Sequence, residues 1–211
     1  MNWPDQDRWM ALCRSVGVNK PESGWYDRLT KAHAEPQRFY HNQQHIAECL
    51  AEFDQARELA VDPTAVEFAL WFHDALYDPK AGDNEEQSAA LSKECLNSLG
   101  ANHKFSEHVA FLIMATKSHE VGISIDAAVM VDVDLSILGR DTKRFFEYEE
   151  QIRKEYQWVP QLVFASKRAE ILKRFLSRER IFATDWFRNK YEKQARLNLE
   201  ASIAVLSRIA P

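Results

Sequence analysis

Residues 65–78 read AVEFALWFHDALYD, and the fold class turns on how this stretch is read. An almost unbroken apolar run, AVEFALWF, precedes His73 and Asp74. Val66, Ala69, Leu70 and His73 recur at i, i+3, i+4 and i+7, with Leu76 or Tyr77 continuing the stripe, which is helical spacing. Asp62 and Pro63 open the helix, since Pro suits a first turn, and the pattern carries it to about Tyr77. A helix apolar almost all round sits at the centre of a bundle. His73 then points into the core with a carboxylate beside it. An unpartnered carboxylate there would cost several kcal/mol of desolvation. A neutral His73 bonded to a carbonyl, with Asp74 at a helix end, is one resolution. A divalent cation is another, and it relieves both groups at once.

Outward from this helix, nearly every stretch also reads as helix, without internal repeats. Pro4 and Asp5 open a helix to about Val16, and Pro21, Glu22 and Ser23 open one to about Ala34. Asn42 is an N-cap for a helix carrying Ile46, Cys49, Leu50 and Phe53 at helical spacing. The breaker-rich loop DPKAGDNEEQ follows Tyr77. A helix then runs from about Glu85 to Leu99, stopped by Gly100, and another from Phe105 to about Lys117. The almost wholly apolar segment Ile125 to Leu138 is closed by Gly139. From Asp141 onward the chain is charged and amphipathic, with three or four helices broken near Pro160 and Thr184. The expectation is an all-α single domain over 1–211, with a core at about 36–140 and flanking helices at 1–35 and 141–211.

Composition agrees with this class. Six glycines in 211 residues are too few for the many turns of an all-β sandwich. With 27 Lys and Arg against 32 Asp and Glu, the formal charge is −5, which disfavours a nonspecific nucleic-acid binder. No apolar run approaches membrane-spanning length, and MNWPDQDRWM lacks a basic-then-apolar signal pattern. The expected compartment is therefore the cytoplasm, with no membrane and no nucleic-acid partner. Cys13, Cys49 and Cys95 are odd in number and scattered, so they read as reduced core thiols and not as a disulfide framework.

Three further segments place polar residues in apolar surroundings. In FYHNQQHIAECL, His45 shares a face with Cys49 at the edge of the buried stripe, and His41 lies at or before the helix start. Either His can also be a hydrogen-bonded structural residue. In ATKSHE, His119 continues the face of Val109, Leu112 and Thr116 and can project inward, or it can cap the helix. In AAVMVDVDLSILG, two aspartates interrupt an apolar segment. The alternation from Val131 to Leu135 would suit a strand, but the flanks favour helix. On a helix Asp132 and Asp134 point about 200° apart. Asp134 shares its face with Met130, Val131, Ile137 and Leu138, and Asp132 with Ala128 and Ser136; the more buried face is that of Asp134, so it takes the ligand role, with Asp132 as the fallback.

The ordered set FYHNQQH (39–45), WFHDALYD (71–78), GDNEEQSA (82–89), ATKSH (115–119) and DVDLSILG (132–139) on an all-α background resembles the HD superfamily of metal-dependent phosphohydrolases. It is most similar to a group of small bacterial HD hydrolases. The resemblance implies that His45, His73, Asp74 and Asp134 coordinate a divalent metal. Two imidazoles and two carboxylates suit Mn, Fe, Co, Ni or Zn better than Mg. YHNQQH also resembles the corresponding element of cyclic-nucleotide phosphodiesterases, which implies His41 as the acid protonating the leaving oxygen. Asp78, at HDxxxD spacing, is implied as base or water-orienting group, although Tyr77 departs from the paired acids of alarmone hydrolases. His119 resembles a further ligand position in two-metal members, where it would contact metal or substrate. Arg38 and Lys117 flank the motifs and are expected to hold phosphate oxygens.

The implied activity is hydrolysis of a phosphate ester of a small metabolite, most readily a nucleotide. Two alternatives carry different tests. One is an HD-fold di-iron oxygenase using the same ligands plus His119 and another carboxylate. The other is a non-catalytic helical ligand-sensing or interaction protein. The amphipathic C-terminal helices would pack within the chain or form a homodimer.

Overall fold

The computed structural model describes residues 3–18, 24–119 and 122–210. The described residues are helical and contain no strand, so the fold is all-α as expected. The chain divides into two compact units, residues 1–133 and 134–211.

The first unit is built around the apolar helix identified in the sequence. Its elements are α1 (Gln6–Ser15), α2 (Gly24–Ala32), α3 (Gln43–Ala56), α4 (Pro63–Phe72), α5 (Asn84–Ser98) and α6 (His103–Ser118), and α7 (Ile125–Leu135) begins in it. The start expected at Pro21, Glu22 and Ser23 lies outside the described residues. Helix α4 packs against α1, α3, α5 and α6, and Ala65 through Phe72 are all buried. Trp71 meets the edges of Trp9 and Trp3 at centroid distances of 5.4 and 5.3 Å. Each such large side chain contributes roughly 1.5–3 kcal/mol on burial. Glu67, the one acid on α4, is 4% exposed. It is neutralised by Arg8, at 2.8 Å from α1, and by Arg57.

The ends of these helices follow local chemistry. The Asp62 side chain accepts from Ala65 N at 2.9 Å, with Pro63 in the first turn. Asn42 caps α3, accepting from Gln44 N at 2.8 Å. Gly100, at φ +74°, follows α5 in a left-handed conformation that favours glycine. The expected extension of α4 to Tyr77 is corrected, because the helix stops at Phe72 and His73 is its C-cap. The cause is tertiary. Arg38 donates to the carbonyls of Asp74 and Ala75, and the Ser88 hydroxyl pairs with both the N–H and the carbonyl of Leu76. Backbone groups satisfied from outside have no need of a further helical turn.

The second unit contains α8 (Thr142–Glu155), α9 (Gln161–Ser177), α10 (Asp185–Phe187) and α11 (Lys193–Ile209), with a π turn over Arg188–Glu192 between the last two. Helix α11 packs on α9 and α8. The expected helix to Leu138 ends instead at Leu135 and tightens into a 3-10 turn over Ser136–Gly139. Asn198 fastens that turn by donating to the carbonyls of Leu138 (2.9 Å) and Arg140 (2.8 Å). Gly139 is required there by close approach, since a Cβ would fall 2.5 Å from Tyr191 Cβ. Arg168, on α9, is buried against the Tyr148 hydroxyl at 2.6 Å and the Glu149 carboxylate.

Candidate metal centre

Three of the expected ligands converge because of where their helices begin and end. His45 sits in the first turn of α3, where its N–H and that of Gln44 face the Asn42 side chain. Asn42 also donates to Phe39 O at 2.8 Å, which ties the approach segment to the cap. His73 and Asp74 lie just past the end of α4. Arg38 holds this junction from behind, bonding to the carbonyls of His41, Asp74 and Ala75 and to the Glu35 carboxylate.

The resulting geometry is a tight triangle of ligand atoms. His45 Nε2 and His73 Nε2 are 3.1 Å apart. Asp74 Oδ2 lies 3.4 Å from the first and 3.2 Å from the second. An ion about 2.1 Å from each ligand atom would space them at about 3.0 Å in an octahedron and about 3.4 Å in a tetrahedron. The observed separations span that interval.

The triangle needs a proton or a metal ion between its atoms. His73 Nδ1 faces Leu70 O at 2.9 Å, so in the neutral ring the proton sits on Nδ1 and the lone pair of Nε2 faces the triangle. Asp74 Oδ2 is buried and makes no well-aligned hydrogen bond. Burial alone would raise the Asp74 carboxyl. When protonated, the neighbouring imidazoles of His73, His41 and His45 outweigh burial and hold it well below the usual carboxylate range. A lone pair and a carboxylate oxygen 3.2 Å apart repel unless a proton or a metal ion lies between them. The donor set therefore fits a divalent ion.

The wider cluster adds a residue that the sequence reading assigned to the core. One ligand atom each from His45, Cys49 and His73, all in the first unit, lie within 4.8 Å of one another. Cys49 is one helical turn beyond His45, with Sγ 3.6 Å from Nδ1 and 3.8 Å from Nε2. The i, i+4 pairing of His45 with Cys49 was the signal that could have found it. Asp134 lies near the end of α7, where the second unit begins, and the reason given for it needs correction. Asp132 is fully buried, at 0% exposure, whereas Asp134 is half-buried, so Asp134 is not on the more buried face of α7.

The other expected site residues take varied positions. His41 is half-buried beside the triangle, with its ring 6.0 Å from that of His45 and stacked on Tyr77 at 4.1 Å. Asp78 is exposed and accepts from Lys80 N at 2.9 Å, while its backbone exchanges two bonds with the Asn84 side chain. Asp78, Tyr77 and Arg38 line a cleft of about 470 Å³. His119 ends α6 in a left-handed conformation, φ 53°, and lies outside the His45–Cys49–His73 cluster. Lys117 pairs with Glu86 and donates to Gly82 O at 2.9 Å. Arg38 is 5% exposed and braces the backbone instead of presenting a free cation.

No protein-family model, curated protein or solved structure matches this chain. No described helix is long and apolar enough to cross a membrane.

Proposed function

We propose that the chain is a metal-dependent phosphohydrolase acting on a small phosphorylated metabolite, with a nucleotide as the first class to test. The observation that carries this reading is the triangle of His45 Nε2, His73 Nε2 and Asp74 Oδ2, with separations of 3.1–3.4 Å, buried and suited to one divalent ion. When bound, such an ion supplies Lewis acidity toward a phosphoryl oxygen and makes a water molecule acidic enough to attack at neutral pH.

The chain's own residues supply positioning and proton transfer. The Leu70 carbonyl fixes the His73 tautomer, and Arg38 fixes the backbone that carries Asp74. His41 stands next to the ligands, where an imidazole can hold a proton for a leaving oxygen. Its stacking on Tyr77 fixes the ring plane. The neighbouring cleft, about 470 Å³ and lined by Tyr77, Asn84 and Gln87 among others, has the volume of a small-molecule site. The test is phosphate release from a panel of nucleoside mono-, di- and triphosphates, cyclic nucleotides and simple phosphomonoesters, with and without added Mn²⁺, Co²⁺ or Zn²⁺. Metal-dependent release from any of them supports the reading. No release from any of them, by protein that holds its metal, rejects it, and oxygen uptake with two irons bound would favour an oxygenase instead.

A further inference from the structure

The chain's three thiols sit in two kinds of surroundings. Cys13 and Cys95 are core thiols, each fully buried at 0% exposure. Cys49 is as buried, at 2% exposure, but it faces the imidazole of His45 and belongs to the ligand cluster. A tetrahedral zinc-class ion with about 2.3 Å to sulfur and about 2.1 Å to nitrogen sets those atoms about 3.6 Å apart. The measured Sγ–Nε2 distance is 3.8 Å. Both residues are on α3, one turn apart, so the helix itself fixes this spacing.

We propose that Cys49 is a thiolate ligand of the centre, making it a nitrogen–oxygen–sulfur site that takes borderline ions such as Zn²⁺ and Co²⁺ and rejects Mg²⁺. The proposal rests on the metal-centre reading above and goes beyond the His and Asp set that the sequence motifs imply. Thiolate is a soft ligand that favours zinc-class ions, whereas Mg²⁺ requires a near-octahedral shell of oxygens. On coordination the sulfur forms a bond to the metal and its proton leaves to solvent. The competing account gives Cys49 an outer role, with its S–H donating weakly to His45 Nδ1 at 3.6 Å and orienting that ring.

The experiment uses the full-length protein loaded with Co²⁺ under a phosphine reductant. The expected result is a sulfur-to-cobalt charge-transfer band in the near ultraviolet, absent from Cys49→Ser and Cys49→Ala. With Zn²⁺, X-ray absorption should show one sulfur at about 2.3 Å. Zinc affinity should fall in Cys49→Ser by at least the about 10–100-fold seen when an outer partner is lost. Mg²⁺ should not displace Zn²⁺ from the wild type. The wild-type spectra need no variant to fold. Cobalt bound without a sulfur band, or zinc without a sulfur neighbour, overturns the ligand role of Cys49 and leaves the His–Asp centre standing. Wild-type protein that binds neither ion removes the centre and this proposal together.

Discussion

The two ring nitrogens of His73 face different partners, and that difference suits the residue to be a ligand. Nδ1 is held by the Leu70 carbonyl, so Nε2 is left to His45 and Asp74. Replacing His73 or Asp74 by Ala should abolish metal binding, read as metal per chain after gel filtration. His41→Ala should keep the metal and lower kcat by about 10²–10⁴-fold, the usual worth of a general acid; unchanged rates across pH would remove His41 from the chemistry. His33 supplies a pH prediction. It is fully buried, with Nε2 facing the Trp71 carbonyl at 3.4 Å. Burial first, then the charges of Arg38 and His73, lower its pKa from 6.5 to about 3, against opposing contributions from Asp74 and the Trp71 carbonyl. Its folded pKa lies below its unfolded one, so the unfolded chain binds the extra proton. The contribution of neutral His33 is present above about pH 6.5 and is lost as pH falls toward about 3, with a slope of up to about 1.4 kcal/mol per pH unit. Denaturation midpoints measured across that window should fall less steeply in His33→Gln. An equally steep fall would show that other groups carry the acid sensitivity.

At the scale of elements, the cap of α3 and the turn after α7 are the sensitive points. Asn42→Ala removes the side chain that receives the N–H groups of Gln44 and His45. It should cost about 1 kcal/mol of stability and weaken metal affinity, because His45 sits in the turn it caps. Gly139→Ala drives a methyl into Tyr191 and should cost about 1–3 kcal/mol by overpacking, read as a lower denaturation midpoint; an unchanged midpoint would show that Tyr191 yields freely. Such local devices are legible in the sequence itself. Asn42 before a periodic apolar run and Asp-Pro at 62–63 state their helix starts directly. The end of α4 was not legible, because its apolar period runs on past Phe72. What stops the helix is Arg38, distant in sequence, taking the carbonyls of Asp74 and Ala75. Cys49 is the buried, free thiol that the sequence implies, and its place beside His45 was hidden for a related reason. Its spacing from His45 was visible, but a buried cysteine on an apolar face looks the same whether its neighbour is a core side chain or an imidazole. Asp134 was reached through a burial argument that fails, since helical periodicity gives angles between side chains and not the depth of each face.

At the scale of the whole molecule, an all-α chain buries a polar cluster that could hold a metal ion. A core polar cluster of this kind destabilises the fold unless it is filled, so ligand and fold are linked. An ion at 100 times its dissociation constant should add about 2.7 kcal/mol to stability. The melting temperature should therefore rise with Zn²⁺ or Co²⁺ and fall again with a chelator, and it should be indifferent to both in His73→Ala. A wild-type melting temperature blind to metal would mean that the triangle is satisfied by a shared proton. The measurement that bears most directly on the central claim is elemental analysis of the purified full-length protein beside its His73→Ala variant. We predict about one transition-metal ion per chain in the wild type and none in the variant. A metal-free wild type that cannot be loaded, or a variant holding as much metal as its parent, would contradict the account.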